Sequence, residues 1–267
     1  MVEEAAVGDG KKRRSSMKKK ILCLLVLLSV GVSVSCLPAG TALGAMKVED
    51  LLTKIREGQA KVKDLQADIT TIIKSDMGGK KEAEQKGHIW IKGEDKSKME
   101  MISPLRQISI TSGNKIAVIN PETGQKFVQD LTAMRKKTGQ MDLGKNVMDQ
   151  TKALEYFNLS VKEVGGFFGG IKEYVISGTP KEKNKFLGRI EFTVDAKKYV
   201  PTRIDIYNPK NSLVSSSAIE YVQIKDIWVI TRNLSEVKLP SGKMRMEMRF
   251  DNIKVNEGMP DKIFEIN

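Results

Sequence analysis

The chain has 267 residues, with 45 Lys+Arg against 33 Asp+Glu, one His and two Cys. That length allows a sizeable core, and 40% hydrophobic with 29% charged residues excludes both a disordered chain and a polytopic membrane protein. A zinc site needs four Cys/His-type ligands, and a Ser–His or Cys–His enzyme would have only His88 as its base, so the composition points away from catalysis and from a cofactor.

The N-terminal segment reads as an export signal. Lys11, Lys12, Arg13, Arg14 and Lys18 to Lys20 precede an apolar run from Ile21 to Val34. That run is shorter than the roughly 20 residues a membrane-spanning helix needs. Basic, then short apolar, then small residues is the layout of a secretory signal. Met17 is the expected translation start. Residues 1–44 are the expected signal peptide, cleaved after Ala42-Leu43-Gly44, and residues 45–267 the expected single domain. A second route stays open, because Val34-Ser35-Cys36 resembles the end of a lipobox, whose Cys36 would be acylated; Ser33 stands where Leu is usual. Neither route leaves a cysteine inside the domain, so no disulfide is expected. Residues 1–44 hold seven Lys+Arg and three acids, which leaves 38 against 30 in the remainder, a net +8. On an exported protein this excess favours an anionic membrane surface over nucleic acid.

From Lys47 to Lys63 the apolar residues Val48, Leu51, Leu52 and Ile55 recur at helical spacing, with Glu49 and Asp50 where the helix dipole favours acids. After Asp64 the period becomes two: Leu65, Ala67, Ile69, Thr71 and Ile73 predict a strand, and Gly78-Gly79 a turn. Strands follow at His88–Lys92, Lys98–Ile102, Gln107–Thr111 and Lys115–Asn120, and Pro121-Glu-Thr-Gly124 is a turn. Leu131 to Asn158 lacks alternation, and Val147–Phe157 predicts a second helix. Strands resume at Leu159–Val164, Ile171–Gly178, Leu187–Val194, Pro201–Tyr207, Leu213–Gln223, Ile227–Val237 and Met244–Val255. The expected fold is mainly β (α+β): a curved antiparallel half-barrel of about 11 strands, with an N-terminal helix and a helical lid closing the sheet's apolar face.

Catalytic motifs are weak. Gly139-Gln-Met-Asp-Leu-Gly144-Lys145 follows a phosphate-binding loop only as far as Asn146, where Ser or Thr should meet magnesium. His88 is a lone strand histidine, and no metal spacing occurs. Asn158-Leu-Ser160 and Asn233-Leu-Ser235 match glycosylation sequons by pattern alone. The apolar residues say more. Met244, Met246 and Met248 share one side of a strand, Met99 and Met101 do so earlier, and Trp90 and Trp228 sit within strands. Methionine is flexible and polarisable, and so lines sites that accept variable apolar ligands; it also fills cores.

The order of Gly87-His-Ile-Trp90-Ile-Lys92, Pro104, Ser112-Gly113-Asn-Lys-Ile-Ala-Val-Ile-Asn120-Pro121 and Asn256-Glu-Gly-Met-Pro260-Asp-Lys-Ile-Phe264-Glu-Ile266 resembles the LolA/LolB superfamily of periplasmic lipoprotein carriers. The resemblance implies a half-barrel covered by helices, with an apolar cavity for acyl chains and no enzymatic activity. It implies an exported periplasmic carrier whose partners are an acylated lipoprotein or another lipid, an inner-membrane exporter and an outer-membrane receptor. The expected cavity lining is Trp90, Met99, Met101, Ile108, Ile110, Trp228, Met244, Met246 and Met248. The alternative is a LolB-like receptor anchored through Cys36, or an RseB-like envelope-stress sensor.

Overall fold

A computed structural model describes residues 46–79, 81–130, 132, 152–165 and 170–266. The expected signal segment, Cys36 and the Gly139–Lys145 loop lie outside the described residues. The N-terminal helix forms where the periodicity places it, as α1 (Val48–Gln59). Leu51, Leu52 and Ile55 are buried along its one apolar stripe. No side chain caps its start; Glu49 and Asp50 instead face the positive end of the dipole.

The remainder of the described chain is almost entirely β. Its strands are β1 (Asp64–Ser75), β2 (Lys81–Lys92), β3 (Lys96–Ser103), β4 (Gln107–Ser112), β5 (Lys115–Ile119), β6 (Lys126–Asp130), β7 (Phe157–Gly165), β8 (Ile171–Pro180), β9 (Arg189–Asp195), β10 (Pro201–Tyr207), β11 (Leu213–Ile224), β12 (Ile227–Leu239) and β13 (Gly242–Val255). They form one open, curved antiparallel sheet of 13 strands, ordered β6-β5-β4-β3-β2-β1-β13-β12-β11-β10-β9-β8-β7. Two meanders, β1–β6 and β7–β13, are thus joined along the β1–β13 ladder, where Ile69 lies opposite Phe250 and Ile73 opposite Met246.

Thirteen strands replace the expected eleven or so. The unexpected one is β6, whose Lys126-Phe-Val-Gln-Asp130 is too short and too polar to declare itself by alternation. The helical lid also needs correction. Of the helix expected over 147–157, residues 147–151 lie outside the described residues, and Lys152–Tyr156 forms a short 3-10 turn. Phe157 belongs to β7, because Phe157, Leu159 and Val161 start a period-two pattern that pairs with β8. Among the described residues, no helix is long and apolar enough to cross a membrane.

The main core lies on the face that carries Ile69, Ile89, Ile91, Tyr174, Ile176, Phe192, Val194 and Phe250. Helix α1 packs at the β7 end of that face, where Met46 N donates to Glu163 Oε1 at 2.8 Å. The opposite face of β9–β13 is polar and laced with ion pairs: Arg203–Asp205, Arg232–Glu247, Arg249–Glu247 and Arg245–Glu236.

Candidate functional site

Residues directly opposite one another in an antiparallel ladder share a face of the sheet. Met101 lies opposite Gly87 and Gly87 opposite Ile69; Met99 lies opposite Ile89 and Ile89 opposite Ala67. Met244, Met246 and Met248 lie opposite Ser75, Ile73 and Thr71. All five methionines therefore stand on the face of Ile69. They form a band from β3 across β2 and β1 to β13. Met246 and Met248 are buried, and Met99, Met101 and Met244 are half-buried. Ile116, Val118 and Phe127 extend the same face onto β5 and β6, beyond a polar row of Gln107, Ser109 and Thr111 on β4. Phe127 is 63% exposed.

The other expected lining residues face elsewhere. Trp90 pairs with Lys98, Lys98 with Ile110, and Glu100 with Ile108, which puts Trp90, Ile108 and Ile110 on the reverse of the sheet from the methionines. They join a second apolar cluster with Ala117, Ile119, Met259, Ile263, Phe264 and Ile266. Strand parity explains the split. Met99 and Trp90 both sit mid-strand, but the register pairs Met99 with Ile89, the neighbour of Trp90. Trp228 stands at the start of β12 beneath the Lys198 ammonium, 4.6 Å from its ring. It is seven residues from Ser235, the partner of Met246, or about 23 Å along the strand. The nine expected residues thus separate into a methionine band, a reverse-face cluster and one distant indole.

The reverse-face cluster is closed by the end of the chain. Asn256, with φ at 56°, turns the backbone after β13; asparagine is among the few residues that tolerate this left-handed region. Its Oδ1 accepts from Lys63 N (2.7 Å) and Asp64 N (3.2 Å), and its Nδ2 donates to Lys61 O (2.7 Å). Lys92 Nζ then donates to Met259 O and to Asp261 Oδ1, each at 2.6 Å, and Lys96 Nζ reaches Asp261 Oδ2 at 2.9 Å. Both lysines hold the Asp261 carboxyl down, to about 2 from its ordinary 3.8. Phe264, 1% exposed, seats on Ile110 and Ala117. Beside it lies a cleft of about 340 Å³ between Lys96, Lys115, Asp261 and Ile266.

A polar chain borders the methionine band, unforeseen in the sequence. Ser235 and Asn233 pair with Met246 and Met248. Ser235 Oγ lies 2.7 Å from Ser217 Oγ and donates to Asn233 Oδ1 at 3.0 Å. Asn233 and Ser235 are buried, so the Asn233-Leu-Ser235 sequon is closed to glycosylation. The alternation Asn233-Leu-Ser235 on a strand could have signalled this cluster. His88 is paired with a carboxylate: its Nδ1 lies 2.5 Å from Asp68 Oδ1, and Asn252 Nδ2 donates to Asp68 Oδ2 at 2.6 Å. Those contacts, that of Asn252 first, keep the Asp68 carboxyl below its ordinary pKa. Among the described residues, no three His, Cys, Asp or Glu side chains group as metal ligands.

A family model described only as an uncharacterized protein matches residues 146–267. No curated protein matches the sequence significantly. The fold has clear counterparts among solved structures. A LolA superfamily protein from Nitrosomonas europaea is 18% identical, with a TM-score of 0.57 over 83% of this chain and 98% of that one. A DUF1329 family protein from Desulfovibrio piger is 18% identical, with a TM-score of 0.59 over 81% and 95%. A protein from Vibrio parahaemolyticus described as an outer membrane lipoprotein-sorting protein domain is 14% identical, with a TM-score of 0.56 over 81% and 95%. The chain therefore shares the fold of the LolA superfamily.

Proposed function

We propose that this protein is an exported, non-enzymatic carrier that binds the acyl chains of a lipoprotein or another lipid on its methionine-bearing face. The observation that carries this reading is the placement of Met99, Met101, Met244, Met246 and Met248 on one face of the sheet, with exposed Phe127 on the same face beyond the polar row of β4. Burying an acyl chain is favourable by about 0.8 kcal/mol per CH₂, so a 16-carbon chain gains roughly 12 kcal/mol before ordering costs. A carrier must also release, and flexible thioethers adapt to a chain without the fixed geometry of an aromatic slot. The likeness to LolA-superfamily folds supports the reading, as does the signal layout of residues 1–44, with a mature chain from Ala45 as the proposed exported form.

Native mass spectrometry of the purified protein with a palmitoylated peptide tests this directly. The wild type should bind one or more acyl chains. Met246→Glu and Met101→Glu, each putting a charge into the apolar band, should weaken binding about tenfold or more. Leu234→Glu, on the reverse face opposite Glu247, should leave binding unchanged. A wild type that takes up no acylated ligand while keeping its β-rich circular dichroism would overturn the carrier. The intact mass of the exported protein tests its form: a diacyl increment on Cys36 would replace the soluble carrier with an anchored receptor.

A further inference from the structure

One end of the sheet gathers six turns, those joining β1–β2, β3–β4, β5–β6, β8–β9, β10–β11 and β12–β13. β7 also starts there, with Phe157 opposite Pro180. At the corner formed by the start of β7, the 181–188 loop and the 208–212 turn, two aromatic rings stand in solvent: Phe186 is 63% exposed and Tyr156 47%. Around them are Lys181, Lys183, Lys185 and Lys210, with Glu182 as the loop's acid. None of these four lysines forms an ion pair among the described residues. At the opposite end of the sheet Lys61 is paired with Asp226, and Lys92 and Lys96 with Asp261.

The corner is built, not frayed. Lys181 N donates to Tyr156 O at 3.0 Å, which holds the two residues together. Asn184 Oδ1 accepts from Phe186 N (2.9 Å) and Leu187 N (3.1 Å), an Asx turn that fixes the backbone presenting the Phe186 ring. Gly188 abuts the next turn so closely that a Cβ there would meet Asn208 O at 2.4 Å. Asn208 Oδ1 in turn accepts from Lys210 N at 2.9 Å. The 181–188 loop and the Lys210 turn therefore pack directly against each other.

Phe186 and Tyr156 are exposed together at this corner, so they form a patch rather than a single scattered apolar residue. Aromatic rings interleaved with unpaired ammonium groups match a different surface, in which rings sit at headgroup depth and lysines meet phosphates. We propose that Tyr156, Phe186 and the lysines 181, 183, 185 and 210 dock the protein on an anionic phospholipid bilayer. The inference rests on the carrier reading for its purpose, since loading and release of an acyl chain require contact with a membrane. Its chemistry stands on the corner alone.

The test is co-sedimentation of the purified protein with phosphatidylcholine vesicles, with and without phosphatidylglycerol, at low salt. The wild type should bind the anionic vesicles and leave phosphatidylcholine alone. Joint replacement K181Q, K183Q and K185Q should weaken that binding about tenfold or more, and Phe186→Ser about fivefold. Both variants should keep the wild-type affinity for palmitoylated peptide in solution, which reports on the methionine face and confirms folding. A Phe186→Trp variant should shift its emission to the blue with anionic vesicles, which reports insertion without removing a ring. Variants that sediment like the wild type, or a wild type indifferent to phosphatidylglycerol, would overturn the docking corner while leaving the carrier standing. Vesicle binding that survives in a protein unable to bind acylated peptide would overturn the carrier and leave the corner.

Discussion

The two faces of the β2–β6 wing are made by alternate residues of the same strands, yet they meet different fates. On the reverse face Trp90, Ile108, Ile110, Ala117 and Ile119 lie beneath Met259, Phe264 and Ile266, and Ala117 is fully buried. On the other, Met99, Met101, Ile116 and Val118 are only partly buried, and Phe127 stands in solvent. The tail is a permanent apolar occupant, fixed by a turn at Asn256 and by Lys92 and Lys96 on Asp261. On this wing the methionine face stays partly open, and it is the face proposed for a transient occupant. An apolar surface is a binding site only where the chain has not already covered it.

Substitutions on the two faces should therefore separate stability from binding. Phe264→Ala empties a fully enclosed position and should cost about 3–5 kcal/mol, seen as a lower denaturation midpoint, with Trp90 emission shifted to the red. Phe127→Ala, at an exposed ring, should change stability by less than about 1 kcal/mol and act instead on uptake of palmitoylated peptide. If Phe127→Ala proves the more destabilising, the contrast between the faces collapses.

The turn that directs the tail is the next point of attack. Asn256→Ala removes three side-chain hydrogen bonds and places alanine in a left-handed conformation. It should destabilise the protein by about 2–3 kcal/mol, and Asn256→Gly should recover part of that loss by relieving the backbone alone. Equal losses for the two would assign the whole effect to the hydrogen bonds.

Legibility in the sequence follows the same division. Long strands with strict alternation, such as Leu65–Ile73 and Met244–Phe250, declare themselves, as does α1 through Leu51, Leu52 and Ile55. Short β6 does not, because five residues carry too little pattern. The face of each residue is legible within a strand and illegible between strands. Met99 and Trp90 end on opposite faces because the β2–β3 register pairs Met99 with Ile89. At Gly87 a Cβ would meet Glu100 O at 2.3 Å, so this glycine permits the close approach that fixes the register; its sequence context shows only a glycine. The link from Ser235 to Ser217 was hidden for the same reason, since it exists only once β11 and β12 pair.

A smaller effect sharpens the account of the tail. Asp261 titrates at about 2 in the folded protein against an ordinary 3.8. A depressed carboxyl contributes its stability fully above the ordinary value and loses it as pH falls through the folded one. Trp90 emission should thus move modestly toward the red between about pH 4 and pH 2, and Asp261→Asn should flatten that step. An unchanged step in Asp261→Asn would mean that other carboxylates govern the tail.

The most direct test of the central claim is methyl NMR of the protein labelled at its methionines, titrated with palmitoylated peptide. Met99, Met101, Met244, Met246 and Met248 stand on the proposed binding face, and Met259 is buried in the tail cluster on the reverse. The account predicts that the resonances of the five move as the acyl chain binds while that of Met259 stays in place. Movement of Met259 with the five unchanged would put the acyl chain under the tail and contradict it.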